Sequence, residues 1–585
     1  MAQQHFVNKI EELVQESLEG LIDSNPNLIR LDGYPHTKVV YDRNHDASKV
    51  AVISGGGSGH EPAMAGYVGA GMLAAAVAGD VFASPSEDAV LAAIRAVGGP
   101  AGVVLIVMNY TGDRLNFGAA AERAKVEGIP VDMVIVADDV APIEGGTVKN
   151  RRGIAGTVLV HKVAGAAAAE GRPMAEVASA ARGAAAALAS MGCSLSTCNV
   201  PGAPPSDRLA AGEMEMGLGI HGEPGAYKTA LAPLDQIVGR LVGHLADAGA
   251  LDAASPRAVL LVNNLGGSTP LEVGAAASSA VRVLRGERGV ALERVLVGTF
   301  MTSLAMHGLS LTVLVLGDDG EEVLRRLDAP TAAPAWPRTG AFRGAGRVAP
   351  LPVGTTDAEA ETAPGAAAAP LAAGPAADGL AAVAAALKAA RPELDALDGK
   401  VGDGDCGSTL ARGAEAALRA LRDGGLRLDG GLGAAGLALG RVLGGAMGGT
   451  SGAIYKLVFT AAGAELGRRE GGGKALGPAD FGAALEAGAA AASKYGGAEE
   501  GDRTMLCALW PAARALQAGA ASPAEAVAEA AAAARRAADA TAAVEHAGAG
   551  RSAYVRGELL KGVADPGAVG VARWLEALVP VLGGK

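Results

Sequence analysis

The chain has 585 residues, too many for one hydrophobic core, so two or more domains are expected. Half the residues are hydrophobic, yet only 3% are aromatic and 86 are glycine, a mixture that suits Ala/Leu-rich helices and glycine-rich loops better than a β-sandwich. A net charge of −12 without a basic tract argues against nucleic acid or an anionic membrane as partner.

No apolar run approaches the roughly 18 residues of a membrane span. The opening stretch, MAQQHFVNKIEELVQESLEG, lacks both the apolar segment of a secretory signal and the composition of a transit peptide. A cytoplasmic enzyme is expected. Four cysteines do not make a disulfide framework, and Cys193 with Cys198 lacks a metal-binding spacing, so reduced thiols are expected.

In chain order, the first strand is expected at 50–53, and it runs into SGGGSGHEP (54–62). A strand feeding such a loop cradles an anion or a small polar molecule. The full dinucleotide fingerprint is missing. His60 closes the loop, either to donate to a substrate oxygen or as a plain turn histidine. A helix at Glu87–Val97 and a strand at 103–107 lead to MNYTGD (108–113). Asp113 follows a strand's C-terminal end, where α/β sheets place ligands. It reads as a general base or as the N-cap of a helix starting at Arg114.

A helix at 114–127 and a strand at Val131–Val136 follow. After a long interval come strands at 259–262, 295–297 and 311–316, with a helix at 271–285. Strands separated by helices give α/β layering, and the interval suggests two sub-domains. Within it lies EMEMGLGIHGEPG (213–225). Gly219 and Gly222 flank His221 and leave its ring accessible. A neutral imidazole nitrogen can add to a carbonyl; a satisfied core histidine is the alternative.

Residues 344–378 are rich in Pro, Ala and Gly without periodic large apolar residues, and read as a linker between a domain at 1–343 and one at 379–585. The second domain reads as all-helical, with helices at 380–390, 409–421, 434–442, 481–494, 505–517 and Pro523–Ala540, the last capped by Ser522. Its most informative stretch is LDGKVGDGDCGST (397–409). Asp398, Asp403 and Asp405, interleaved with Gly402, Gly404 and Gly407, repel one another without a counter-ion. Oxygen-only ligands suit Mg²⁺ with nucleotide phosphates, and the following helix N-terminus favours an anion. A surface Gly/Asp turn is the alternative. The bidentate Glu of an EF-hand is absent, as is a Walker P-loop. MGGTSGA (447–453), GDRTM (501–505), GRSAY (550–554) and DPGA (565–568) are further loops, each a weak signal alone.

The second-domain motifs together resemble the L-type, nucleotide-binding domain of dihydroxyacetone kinases. The resemblance implies an eight-helix barrel binding ATP through two Mg²⁺ ions. It implies Asp398, Asp403 and Asp405 as metal ligands, with Cys406, Gly407, Ser408, Thr409, Ser451, Gly452, Thr504, Met505, Arg551, Asp565, Pro566 and Gly567 around the nucleotide. Cys406 stands where many bacterial members have His, and Lys456 where a small residue is common.

SGGGSGHEP, NYTGDRLNFG, GTVLVHK, HGEPG and LVNNLGG, spread over 55–312, resemble the family's K-type domain. That resemblance implies a hemiaminal between His221 and the ketone carbon. It also implies a pocket lined by Gly57, Ser58 and Gly59, with His60 and Asp113 on the terminal hydroxyl. Met108 replaces the family's usual Lys, which puts substrate preference in doubt. The implied reaction is ATP-dependent phosphorylation of dihydroxyacetone, and also of glyceraldehyde, by a homodimer. Two rival readings stand beside it: an FAD-AMP lyase activity, often with Mn²⁺, and a non-catalytic regulator.

Overall fold

In the computed structural model, the described residues are 5–141, 151–204, 206, 208–251, 256–342, 374–427, 431–470, 475–555 and 557–583. The chain divides into two compact units, Met1–Arg347 and Val348–Lys585.

The first unit holds two six-stranded sheets. Sheet one contains β1 (Leu28–Arg30), β2 (Val39–Asp42), β3 (Ala51–Ser58), β4 (Ala75–Val81), β5 (Val103–Met108) and β6 (Val131–Val136), in the order β1-β2-β4-β3-β5-β6. The run β4-β3-β5-β6 is parallel. Sheet two contains β7 (Leu188–Ser194), β8 (Glu213–Met216), β9 (Tyr227–Ala230), β10 (Arg257–Asn264), β11 (Ala291–Gly298) and β12 (Gly308–Val315), in the order β11-β10-β12-β7-β8-β9.

β5 explains the unbroken apolar run at 103–108. Val103, Leu105 and Val107 enter one core with Phe117 and Ile94, while Val104, Ile106 and Met108 enter another. A parallel strand covered on both faces reads as continuous hydrophobicity. The second core also takes Val259, Leu261 and Leu314 from sheet two, so the sheets share it.

Two expectations need correction here. β3 does not stop at residue 53: its pairing with β4 continues through Gly56 to Ser58, with a register shift between them. The helix after β5 is Thr111–Val126, not 114–127, so Asp113 lies inside its first turn, and Tyr110 is the N-cap residue.

Among the described residues, the second unit has eight helices of twelve or more residues. They are Pro375–Val401, Cys406–Arg422, Leu432–Met447, Gly449–Glu470, Pro478–Gly496, Leu506–Gln517, Pro523–Ala540 and Pro566–Gly583. Each packs on the next in this order, and the last packs on the first, so the ring closes. Small residues permit the close approach: a methyl group on Gly433 would lie 2.5 Å from Gly467 Cα. Ser522 caps the helix after it by accepting the Glu525 N–H at 3.2 Å. The first helix begins at Pro375, inside the stretch read as linker, and residues 344–373 of that stretch lie outside the described residues.

Candidate functional sites

The first site forms where the C-terminal ends of β3 and β5 meet the segments 217–223 and 302–304 associated with sheet two. His60 is 1% exposed, and its ring is aimed by a long-range bond to the Thr302 carbonyl at 2.8 Å from Nδ1. The backbone closes the same seam, with Thr302 N–H to His60 O at 3.1 Å and Leu304 N–H to Gly59 O at 2.8 Å. Glu61 accepts the Gly59 N–H at 2.9 Å and holds the loop from its other side.

His221 lies beyond β8 on a turn that puts its Nε2 3.1 Å from His60 Nε2. Glu223 grips it twice, accepting the backbone N–H at 3.0 Å and facing ring Nδ1 at 2.8 Å. A carbonyl and a carboxylate only accept, so both rings carry a proton on Nδ1. The two Nε2 atoms can then bond only while a further proton lies between them. When it leaves, His221 presents a bare lone pair. Burial, with the charge of His221 beside it, pushes His60 down to about 4, which opposes holding that proton on His60. Burial opposes ionising Glu223, but the His221 hydrogen bond and charge outweigh it and hold Glu223 at about 2.

Three rings wall His221. Phe82, Tyr110 and His60 stand edge-on to His221 with centroids 4.8–5.1 Å away, and Phe82 also stacks on His60 at 5.1 Å. Phe82 and Leu304 have positive φ, 59° and 53°, which costs energy in non-glycine residues and concentrates at functional sites. The loop leaves no room for side chains: a methyl group on Gly57 would lie 2.7 Å from Ala83 N. Ser58 turns away, donating to Gly79 O at 2.8 Å. Asp113 is 4% exposed, its Oδ1 has no partner, and burial raises its pKa against the opposing effects of Ser84 and His221. Met108 is buried beneath Gly56, its Cε 3.3 Å from a Cβ built there. The structure thus brings Gly57, Ser58, Gly59, His60 and His221 together, and its ring walls lie beside them.

The second site lies at the junction of helices Pro375–Val401 and Cys406–Arg422. Ligand oxygens of Asp398, Asp403 and Asp405 all fall within 4.8 Å of one another. Asp398 sits in the last turn of the first helix, not in a loop, and accepts the N–H groups of Asp405 at 2.9 Å and Cys406 at 3.1 Å. Gly404 makes the reversal with φ +80°, and Gly407 packs so closely that a methyl group would lie 2.4 Å from Arg391 O. This all-oxygen set, with two members exposed, fits a hard cation completed by phosphate and water.

The neighbouring loops are tied in by two arginines, Arg412, which no motif flagged, and Arg503 of GDRTM. Arg412 donates to Thr409 Oγ1 at 3.1 Å, Ala446 O at 3.0 Å and Met447 O at 3.0 Å, linking the acidic turn to the loop preceding Ser451 and Gly452. Arg503, with φ 59° and 1% exposure, donates to Val563 O at 2.7 Å and links the segment before Thr504 and Met505 to Asp565–Pro566–Gly567. Asp565 accepts the Ala568 N–H at 2.7 Å, so it caps the last helix, and burial raises it to about 6. Ser408 is engaged by Asp395 through its N–H and hydroxyl, both at 2.8 Å. Burial raises the pKa of Cys406 beside these acids. Arg551 starts a short turn at Arg551–Tyr554, and its side chain lies outside the described residues.

Two family models match the chain, the Dak1 domain over residues 19–335 and the DAK2 domain over 400–580. The triokinase/FMN cyclase of Rattus norvegicus is 43% identical, over 100% of this chain and 99% of that protein. The dihydroxyacetone kinase of Citrobacter freundii is 40% identical, over 98% and 99%. A crystal structure of the C. freundii kinase in complex with AMP-PNP and Mg²⁺ superposes with a TM-score of 0.71 at 37% identity, covering 99% of both chains.

Proposed function

We propose, from the premise that this chain belongs to the dihydroxyacetone kinase family, that it moves the γ-phosphate of ATP to dihydroxyacetone while His221 holds the ketone as a hemiaminal. The observation that carries the proposal is the His60–His221–Glu223 array, in which Glu223 occupies His221 Nδ1 and leaves Nε2, facing His60 Nε2, as the nitrogen able to add.

The Nε2 lone pair adds to the carbonyl carbon, and the π pair moves to oxygen, which takes up the proton shared between the two rings. The alkylated ring is cationic, and Glu223 balances it through Nδ1–H. Glycerol has no carbonyl, so this capture rejects it chemically; glyceraldehyde has one and is expected to be accepted. Asp113 and His60 hold the terminal hydroxyl, and Asp113 Oδ1 receives its proton as the oxygen attacks phosphorus and the bond to ADP breaks. Gly57, Ser58 and Gly59 line the pocket with backbone.

Asp398, Asp403 and Asp405 would hold two Mg²⁺ ions, which neutralise phosphate charge when bound. Cys406–Thr409, Ser451, Gly452, Thr504, Met505, Arg551 and Asp565–Gly567 would surround the nucleotide. Attachment of both sites to one chain keeps their effective concentration high. A homodimer and a cytoplasmic location belong to the same proposal; among the described residues no helix is long and apolar enough to cross a membrane.

An ATP-dependent assay with dihydroxyacetone tests this. His221→Ala and Asp403→Ala should fold and lose nearly all turnover, and full activity in either would overturn its role. A relative named triokinase/FMN cyclase favours a second activity, release of cyclic FMN from FAD, often with Mn²⁺. Product analysis after incubation with FAD decides it. Intact His60, Asp113, His221 and acidic triplet speak against a non-catalytic regulator.

A further inference from the structure

The turn that presents His221 is held from behind by a buried ion pair. Arg152 and Asp139 meet with Nη2 to Oδ2 at 2.7 Å and Nε to Oδ2 at 2.8 Å, both side chains buried. The pair stands on fixed backbone. Asp139 donates its N–H to the Arg152 carbonyl at 3.0 Å and accepts the Ala141 N–H at 2.9 Å. Asp138 accepts the N–H groups of Ile154 at 2.7 Å and Gly156 at 2.9 Å, and its carbonyl takes the Ser190 N–H of β7 at 2.7 Å. From this anchor the guanidinium reaches the His221 turn, where Nη2 donates to Gly217 O at 2.6 Å. Gly217, with φ +73°, opens the turn, and a bond from Gly219 N–H to Glu223 O at 2.9 Å closes it. Beside Gly219 the guanidinium meets the carboxylate that grips His221. A methyl group on Gly219 would lie 2.6 Å from Arg152 Nη1 and 1.9 Å from Glu223 Oε2. Both side chains close on the space that the missing Cβ leaves.

We infer that Arg152 is a positioning residue for ketone capture, fixing the turn 217–223 and through it the aim of His221 Nε2. This rests on the reading of His221 as the nucleophile. Asp139 offsets the charge of Arg152, so what the guanidinium delivers to the turn is direction more than field. Its rigid planar fork bonds a carboxylate and a backbone carbonyl at once, which fixes where Gly217 sits relative to the Asp139 segment. Glu223 orients the imidazole through Nδ1, and Arg152 holds the backbone from which both side chains project.

The test is steady-state kinetics of the full chain with Mg-ATP and dihydroxyacetone, beside carbon-13 NMR of the labelled ketone. Arg152→Ala alone strands a buried carboxylate and destabilises the fold. The working variant is therefore Arg152→Met with Asp139→Asn, which removes both charges and keeps an acceptor for the Ala141 N–H. Its kcat/KM for dihydroxyacetone should fall about 10²-fold, the loss expected of a misplacement of about 1 Å. The loss should sit in KM for the ketone, with a weakened hemiaminal signal, while KM for ATP stays at its wild-type value. Gly219→Ala leaves the ion pair in place but fills the space that Arg152 and Glu223 share, and it should show the same split. A merely structural role would lower the melting temperature without separating the two KM values. Wild-type ketone KM and hemiaminal signal in either folded variant, or an equal rise in KM for ATP, would overturn the role of Arg152. A wild-type protein that forms no hemiaminal would overturn the reading of His221, and the inference with it.

Discussion

The two candidate sites are built on opposite plans. In the α/β unit the reactive groups are buried, walled by rings and held by fixed partners: His60 is 1% exposed and Asp113 4%. In the helical unit two of the three clustered carboxylates stand in solvent, with all three ligand oxygens within 4.8 Å of one another. The first site is finished by folding, because its hydrogen bonds are made within the protein. The second is finished by its ligand, because carboxylates this close repel until a cation arrives. Preorganisation belongs to the ketone, and charge neutralisation to the nucleotide.

Removing divalent metal should separate the two plans most sharply. Chelation is expected to lower turnover by about 10³-fold or more, the loss of several kcal/mol of charge stabilisation. The hemiaminal signal of labelled dihydroxyacetone should persist, and its disappearance on chelation would break the contrast. A smaller effect is expected within the ketone site. Glu223→Ala frees the imidazole to take the wrong tautomer, so kcat/KM for dihydroxyacetone should fall about 10²-fold. KM for ATP, read in the same assay, should not move. The smallest effect concerns stability. Gly407→Ala pushes a methyl group to 2.4 Å from Arg391 O, and overpacking costs about 1–3 kcal/mol. Calorimetry should show a lower melting temperature for the helical unit with the ketone signal preserved.

Much of this was legible in the sequence, for local reasons. The apolar run at 103–107 marked a strand, the acidic triplet marked a candidate hard-cation site, and the glycines beside His221 marked a ring open to a neighbour. The misses share a cause as well. β4 (AAVAGDV) and β7 (LASMGCS) are made of small residues and carry little β-branched signal. Phe82 lies in no motif; it matters through its contacts with His60 and His221 across the fold. The partner that orients His60, Thr302, is 242 residues away. Arg412 falls within the helix read at 409–421 and Arg503 within the GDRTM loop, and only tertiary packing turns them into ties between loops. Glu223 was within reach of inspection, two residues beyond His221 in HGEPG, since a histidine nucleophile needs an acceptor on its other nitrogen.

The backbone bonds from Leu304 to Gly59 and from Thr302 to His60 sew the two sheets together at the reaction centre. On the proposed mechanism, breathing that parts the sheets here would separate His60 from the residues that aim it. Ketone capture, if His221 performs it as proposed, would then also gauge intactness: a molecule that still bonds the ketone would have its seam closed.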